Sequence, residues 1–256
     1  MAVEQKRATC LVPYAGHATM RAMLVEALGG TAACAAGVLT YAVRGRSSRL
    51  FGPSVYRGPK DRRSVALTFD DGPSESTPRL LELLAEWGAP ATFFLCGANV
   101  RRLPATARSI AGAGHEIGNH SDTHPAFYLR SKAFIFRELE AAQETIAEHA
   151  GRRPRLFRAP YGARWFGLRE AQGKLGLLGV MWTVLGRDWR LPAVRIAERI
   201  LRHASNGAIV CLHDGWKLAR NPNISETLEA VRLLIPRLRE RGIRLETVSG
   251  LLWPKN

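Results

Sequence analysis

Seven short apolar runs alternating with amphipathic stretches predict an α/β fold, a distorted (β/α)7–8 barrel of the TIM type, preceded by an apolar helix and a basic linker. Strands separated by helices pair in parallel through right-handed crossovers. The polar clusters of the chain also fall directly after the apolar runs, which is where such barrels carry their active sites.

The strand-like runs are 65–69, 91–95, 115–117, 156–158, 179–184, 208–212 and 243–247. Between them the apolar spacing predicts helices over 77–87, 98–113, 131–149, 166–175, 192–204 and 225–241. Pro78 suits the first turn of its helix, and Ser131 and Ser225 stand where N-caps are expected. Asp70-Asp71 follows the first run, Asn119-His120 the third, Arg158 to Tyr161 the fourth, Asp188 the fifth and His213-Asp214 the sixth.

The first 63 residues differ in character from the rest. They hold ten Lys/Arg against three Asp/Glu, nearly half of the net charge of +15. Within 1–43, the stretch 27–43 has no charge for 17 residues, close to the lower limit for crossing a bilayer, although nine of them are Ala or Gly. A membrane anchor, a cleaved signal peptide and a helix packed on the soluble domain are the three readings, and a membrane-associated or cell-envelope location is the expectation. Lys6, Arg7 and Arg21 before the stretch balance Arg44, Arg46 and Arg49 after it, so charge sets no orientation. Residues 44–63, punctuated by Gly52-Pro53 and Gly58-Pro59, read as a polar linker, and the folded domain is expected over 64–250.

Such basicity attracts polyanions in general. With no zinc-finger spacing and no RNA-binding aromatic motif, nucleic acid is a minor reading. Cys10, Cys34, Cys96 and Cys211 are too scattered for a disulfide framework or a CxxC metal site, and read as small apolar residues.

The adjacent carboxylates Asp70 and Asp71 repel each other unless a cation neutralises them, so a metal or an arginine is expected beside them. His120 and His124, four residues apart in His-Ser-Asp-Thr-His, can aim two imidazoles at one point. With Asp71 they form a two-His, one-carboxylate set suited to a divalent metal, zinc above all, with Co2+ or iron as alternatives.

At this point the chain resembles the polysaccharide deacetylases with the NodB homology domain, carbohydrate esterase family 4. Five motifs occur in the family's order over about 64–250. They are Thr68-Phe-Asp-Asp-Gly-Pro73, His120-Ser-Asp-Thr-His124, Arg158-Ala-Pro-Tyr161, Asp188-Trp189 and Cys211-Leu-His213. The resemblance implies Asp70 as general base, Asp71, His120 and His124 as metal ligands, and Arg158 as the residue holding Asp70. It further implies the backbone N–H of Tyr161 as oxyanion donor and His213 as general acid tuned by Asp188. Leu185 stands where the fourth motif often has another Asp, and Cys211 where the fifth usually starts with an aliphatic residue. Trp165, Trp182, Trp189 and Trp216 offer stacking faces for a sugar, Trp182 equally a core position.

The implied activity is metal-dependent removal of N-acetyl groups from N-acetylglucosamine-containing glycans such as peptidoglycan or chitooligosaccharides. Deacylation or deformylation of a lipid-linked amino sugar, and O-acetyl ester hydrolysis, are alternatives on the same scaffold. A catalytically silent sugar-binding module is disfavoured by the intact acid, base and ligand set.

Overall fold

The computed structural model describes residues 16–254, so Lys6, Arg7 and Cys10 of the N-terminal segment lie outside the described residues. Two compact units emerge, Met1–Tyr41 and Ala42–Asn256. Helix α1 (Gly16–Arg44) runs through the charge-free stretch 27–43. Among the described residues no helix is long and apolar enough to cross a membrane.

The second unit carries strands β1 (Ser54–Val55), β2 (Ser64–Gly72), β3 (Thr92–Leu95), β4 (Glu116–Asn119), β5 (Leu156–Phe157), β6 (Leu178–Val180), β7 (Val184–Leu185), β8 (Ala208–His213) and β9 (Arg244–Glu246). They pair in parallel in the order β1-β6-β5-β4-β3-β2-β8-β7, and β9 lies against β2 below β3. The run expected over 179–184 divides in two. β6 pairs with β5 while β7 pairs with β8, so the chain between them spans the two ends of the path and closes the distorted barrel.

Helices α2 (Thr77–Glu86), α3 (Gly97–Arg102), α4 (Pro104–Gly112), α5 (Lys132–Ala150), α6 (Leu168–Leu175), α7 (Ala193–His203), α8 (Ser225–Glu240) and α9 (Val248–Leu252) complete the unit. The helix expected over 98–113 breaks into α3 and α4 because Pro104 has no N–H to donate and biases Leu103 away from helical dihedrals. Ser131 caps α5, its Oγ accepting from the Phe134 N–H at 3.2 Å. Ser225 does not cap α8. The Asn223 side chain does so instead, accepting from the Ser225 N–H at 3.0 Å.

The linker expected over 44–63 is part of the catalytic unit, which starts at Ala42 rather than Ser64. Ala42, Val43 and Phe51 are buried against Ala163, β1 pairs with β6, and Arg57 bridges antiparallel to Ala208. A two-residue strand has no periodicity to read, and its Gly-Pro flanks imitate a linker.

Alternation along the strands sorts the side chains. In β2 and β8, Val65, Leu67, Phe69, Ala208, Val210 and Leu212 face the surrounding helices in the larger core. Ala66 and Ile209, of opposite parity, join Phe94, Leu156 and Val180 in the barrel interior. Asp70, Cys211 and His213 continue that inner row toward the C-terminal rim.

Candidate active site

Asp70 sits at the end of the inner row of β2 and is buried. One of its oxygens, Oδ1, accepts from Arg158 Nη1 at 2.6 Å. Arg158, fully buried just after β5, donates also to Thr68 Oγ1 at 2.7 Å and to the Val180 carbonyl at 3.1 Å, and its guanidinium lies 4.2 Å from the Phe94 ring centre. A guanidinium in this setting is paired, stacked and held in one orientation. The other oxygen of Asp70 accepts from the Cys211 thiol at 3.4 Å. Burial, and then the Asp70 charge, push that thiol well above its usual range, so it stays protonated and donates.

Asp71 follows Asp70 directly, and in a regular strand it would point to the opposite face. It does not. Its φ is 73°, and the register between β2 and β3 shifts between Asp70 and Gly72, a local irregularity that turns the second carboxylate into the same cavity. Asp71 Oδ2 accepts from the Lys217 N–H at 2.7 Å, and the Asp71 carbonyl accepts from Asn99 Nδ2 at 2.7 Å.

Asp71 Oδ1 faces two imidazoles, His120 Nε2 at 3.3 Å and His124 Nε2 at 2.9 Å. Among the described residues this oxygen has no hydrogen-bond partner, and neither does His124 Nδ1. His120 Nδ1 lies 2.8 Å from the Arg158 carbonyl, which only accepts, so Nδ1 carries the proton of the neutral ring. Its Nε2 lone pair therefore points at a carboxylate oxygen, an arrangement that needs a cation between them. Two nitrogens and one carboxylate, buried and within 4.8 Å of one another, fit a divalent metal.

Across the cavity His213, at the end of β8, is paired with Asp188. Its Nδ1 lies 2.9 Å from Asp188 Oδ1, and its backbone N–H donates to Asp188 Oδ2 at 2.7 Å. Thr227 Oγ1 donates to the same Oδ2 at 2.9 Å. Burial disfavours the imidazolium, but the Asp188 charge overrides it and raises His213 from 6.5 to about 9. Asp188 is thus a partner of His213 and not a cap for α7, whose first N–H at Ala193 is taken by Glu226.

Asp70, Asp71, His120, His124, Cys211 and His213 line one cavity of about 510 Å3 with Tyr161, Trp182, Leu185, Trp189, Trp216 and Lys217. Tyr161 packs edge-on against His124 at 4.7 Å, and Trp189 edge-on against His213 at 5.1 Å. Trp165 lies elsewhere, against Phe51 and Phe166. Left-handed backbone clusters around the cavity at Asp71, Ser121, His124, Tyr161 and Lys217, with φ between 53° and 73°. Non-glycine residues rarely adopt it, and such strain gathers at functional sites.

The sequence reading assigned no role to Arg44, Asn99, Lys217 or Thr227. None stands in a recognisable motif, and only the fold brings them here. Asp214 was visible beside His213 but without a role. It is fully buried against Gly72 and accepts from Thr77 Oγ1 at 2.6 Å.

Residues 57–180 match the family model described as polysaccharide deacetylase. The chain is 37% identical over 198 residues to a chitooligosaccharide deacetylase of Bradyrhizobium sp. (strain ANU 289), which covers 74% of this chain and 90% of that one. It is 33% identical over 198 residues to a peptidoglycan-N-acetylglucosamine deacetylase of Bacillus cereus, covering 76% and 90%. Among solved structures, the Bc1960 peptidoglycan N-acetylglucosamine deacetylase superposes with a TM-score of 0.74 at 29% identity, over 78% of this chain and 92% of its own.

Proposed function

The chain belongs to the polysaccharide deacetylase family, the metal-dependent hydrolases that remove N-acetyl groups from N-acetylglucosamine-containing glycans, and from that premise we propose how it works. Asp71, His120 and His124 would hold a divalent metal such as zinc, Asp70 is the general base, and His213 is the general acid. The glycan is of the peptidoglycan or chitin type. The observation that carries the reading is the Asp71 oxygen left without a hydrogen bond between two imidazole nitrogens, beside a carboxylate tied to an arginine.

A divalent ion on these three residues supplies Lewis-acid polarisation of the acetamido carbonyl and lowers the pKa of a water. Asp70 accepts the proton of the attacking water. Arg158 keeps it ionised and fixed in direction, at 2.6 Å from Oδ1. The N–H of Tyr161 faces the developing oxyanion, and losing one donor of this kind typically costs about 2.7–4 kcal/mol. The amine leaves only when protonated. His213 delivers that proton from Nε2, because Asp188 holds the Nδ1 proton and with it the ring's orientation. Leu185 lines the cavity and brings no carboxylate, so Asp188 is the chief partner of His213, itself held by Thr227, with the Asp71 and Asp70 charges adding.

The direct test is acetate release by the full chain, stripped of metal and reloaded with one equivalent of Zn2+ or Co2+, from chitotetraose and from isolated peptidoglycan. Release from at least one is expected. A metal-loaded protein that frees no acetate from either sinks the proposal. A cell-envelope location suits such substrates, and recovery of the chain in the soluble cytosolic fraction would contradict it.

A further inference from the structure

Two cations enter the catalytic cavity with no carboxylate to answer them. Arg44 and Lys217 both line it, and among the described residues neither makes a salt bridge. The acids of the cavity face other partners, Asp70 the Arg158 guanidinium and Asp71 the two imidazoles and the Lys217 N–H.

Neither cation is attached to a loose part of the chain. The carbonyls on both sides of Arg44 are held by one buried residue, Arg164, which stands three residues after Tyr161. Its backbone N–H donates to the Val43 carbonyl at 3.1 Å, Nη2 donates to the Gly45 carbonyl, and Nη1 to the Ser48 carbonyl at 2.5 Å. The peptide carrying Arg44 is thereby fastened to the turn carrying the oxyanion donor. Lys217 is fixed through its own N–H on Asp71 Oδ2, with its ammonium 5.7 Å from the Tyr161 ring centre. Arg44 also precedes residue 57, where the family match begins.

A neutral glycan makes no use of this pair, and its deacetylated product, an ammonium sugar, is repelled by it. A carboxylate-bearing glycan is attracted on the way in and gains an ion pair at a preformed site. We infer that Arg44 and Lys217 bind a carboxylate carried by the unit next to the reacting N-acetylglucosamine, so that the enzyme selects acidic glycans over neutral ones. This rests on the deacetylase reading above and adds the substrate's charge to it.

The test uses the full chain loaded with zinc and two tetrasaccharides of one length. Every second unit of the first carries a free 3-O-lactyl carboxylate, and in the second that carboxylate is converted to the methylamide. The wild type should favour the free acid at least about tenfold in kcat/KM at low ionic strength, mostly through KM, with the gap shrinking near about 0.5 M NaCl as the charges are screened. In the double variant Arg44→Gln/Lys217→Gln the ratio should fall to about one. A wild-type ratio near one, or a ratio that survives the double substitution, overturns the inference. Calorimetric binding of the two sugars to the zinc-loaded Asp70→Asn variant reads the same ratio without turnover. Failure of acetate release therefore sinks only the deacetylase reading, while equal binding sinks this one.

Discussion

On the proton-transfer side of the cavity each charge is answered from within the protein, Asp70 by Arg158 at 2.6 Å and His213 by Asp188 at 2.9 Å. On the metal side, Asp71 Oδ1 and His124 Nδ1 are buried without hydrogen bonds, and the backbone at Asp71 and His124 is left-handed. The first cluster is complete as soon as the chain folds. The second is assembled at a cost, with an imidazole lone pair against a carboxylate, and only a cation completes it. On the roles proposed above, acid and base are held by protein partners alone, whereas the metal side depends on a bound cation.

The largest test of this contrast exchanges one oxygen for nitrogen at each of two adjacent residues. Asp70→Asn should keep its metal and lose about 10²–10⁴ in kcat, the usual worth of a general base. Asp71→Asn should lose metal and turnover together, by metal analysis and acetate release. Equal metal contents in the two variants with equal loss of rate would erase the distinction.

A smaller effect is expected at Asp188→Asn. Without the carboxylate His213 loses the interaction that raises it to about 9, so the alkaline limb of kcat/KM moves to lower pH and kcat falls about a hundredfold. The sign for stability follows from the raised value. The pair's contribution is complete below 6.5 and is lost as pH rises through about 9, so in urea unfolding of the metal-free protein the variant should be weaker than wild type at low pH and equal to it above that range.

The smallest effect concerns Asp214, which is buried behind β2 against Gly72 and Thr77. Burial raises it from 3.8 to about 7, with the Asp71 charge adding to the shift. The folded state then holds a proton that the unfolded state has released, so wild-type stability falls as pH rises from 3.8 through 7. Asp214→Asn should flatten that slope, a difference of about 1–3 kcal/mol at neutral pH in urea midpoints. An unchanged slope would show that Asp214 is ionised in the folded protein.

That Asp70, Asp71, His120, His124, Arg158, Asp188 and His213 come together was legible because hydrolysing an amide calls for few side-chain types and each of them stands at or just beyond a strand end. The parallel barrel was legible for a similar reason, since alternating runs allow few closures. Three features were not. That Asp71 shares a cavity with Asp70 depends on a positive φ that Asp-Asp does not encode. The split into β6 and β7 depends on which neighbours the run meets. The segment before Ser64 joins the fold through backbone carbonyls held by Arg164, a contact between residues more than a hundred positions apart.

That last contact bears on where the chain can be shortened. Arg164 is buried and donates to the carbonyls of Val43, Gly45 and Ser48, so removing them takes three acceptors from a guanidinium inside the protein. A truncated chain that begins ahead of Ala42 keeps those acceptors. One that begins among the glycines and prolines of 52–59, which look like the natural seam, loses them and should be less stable in urea unfolding.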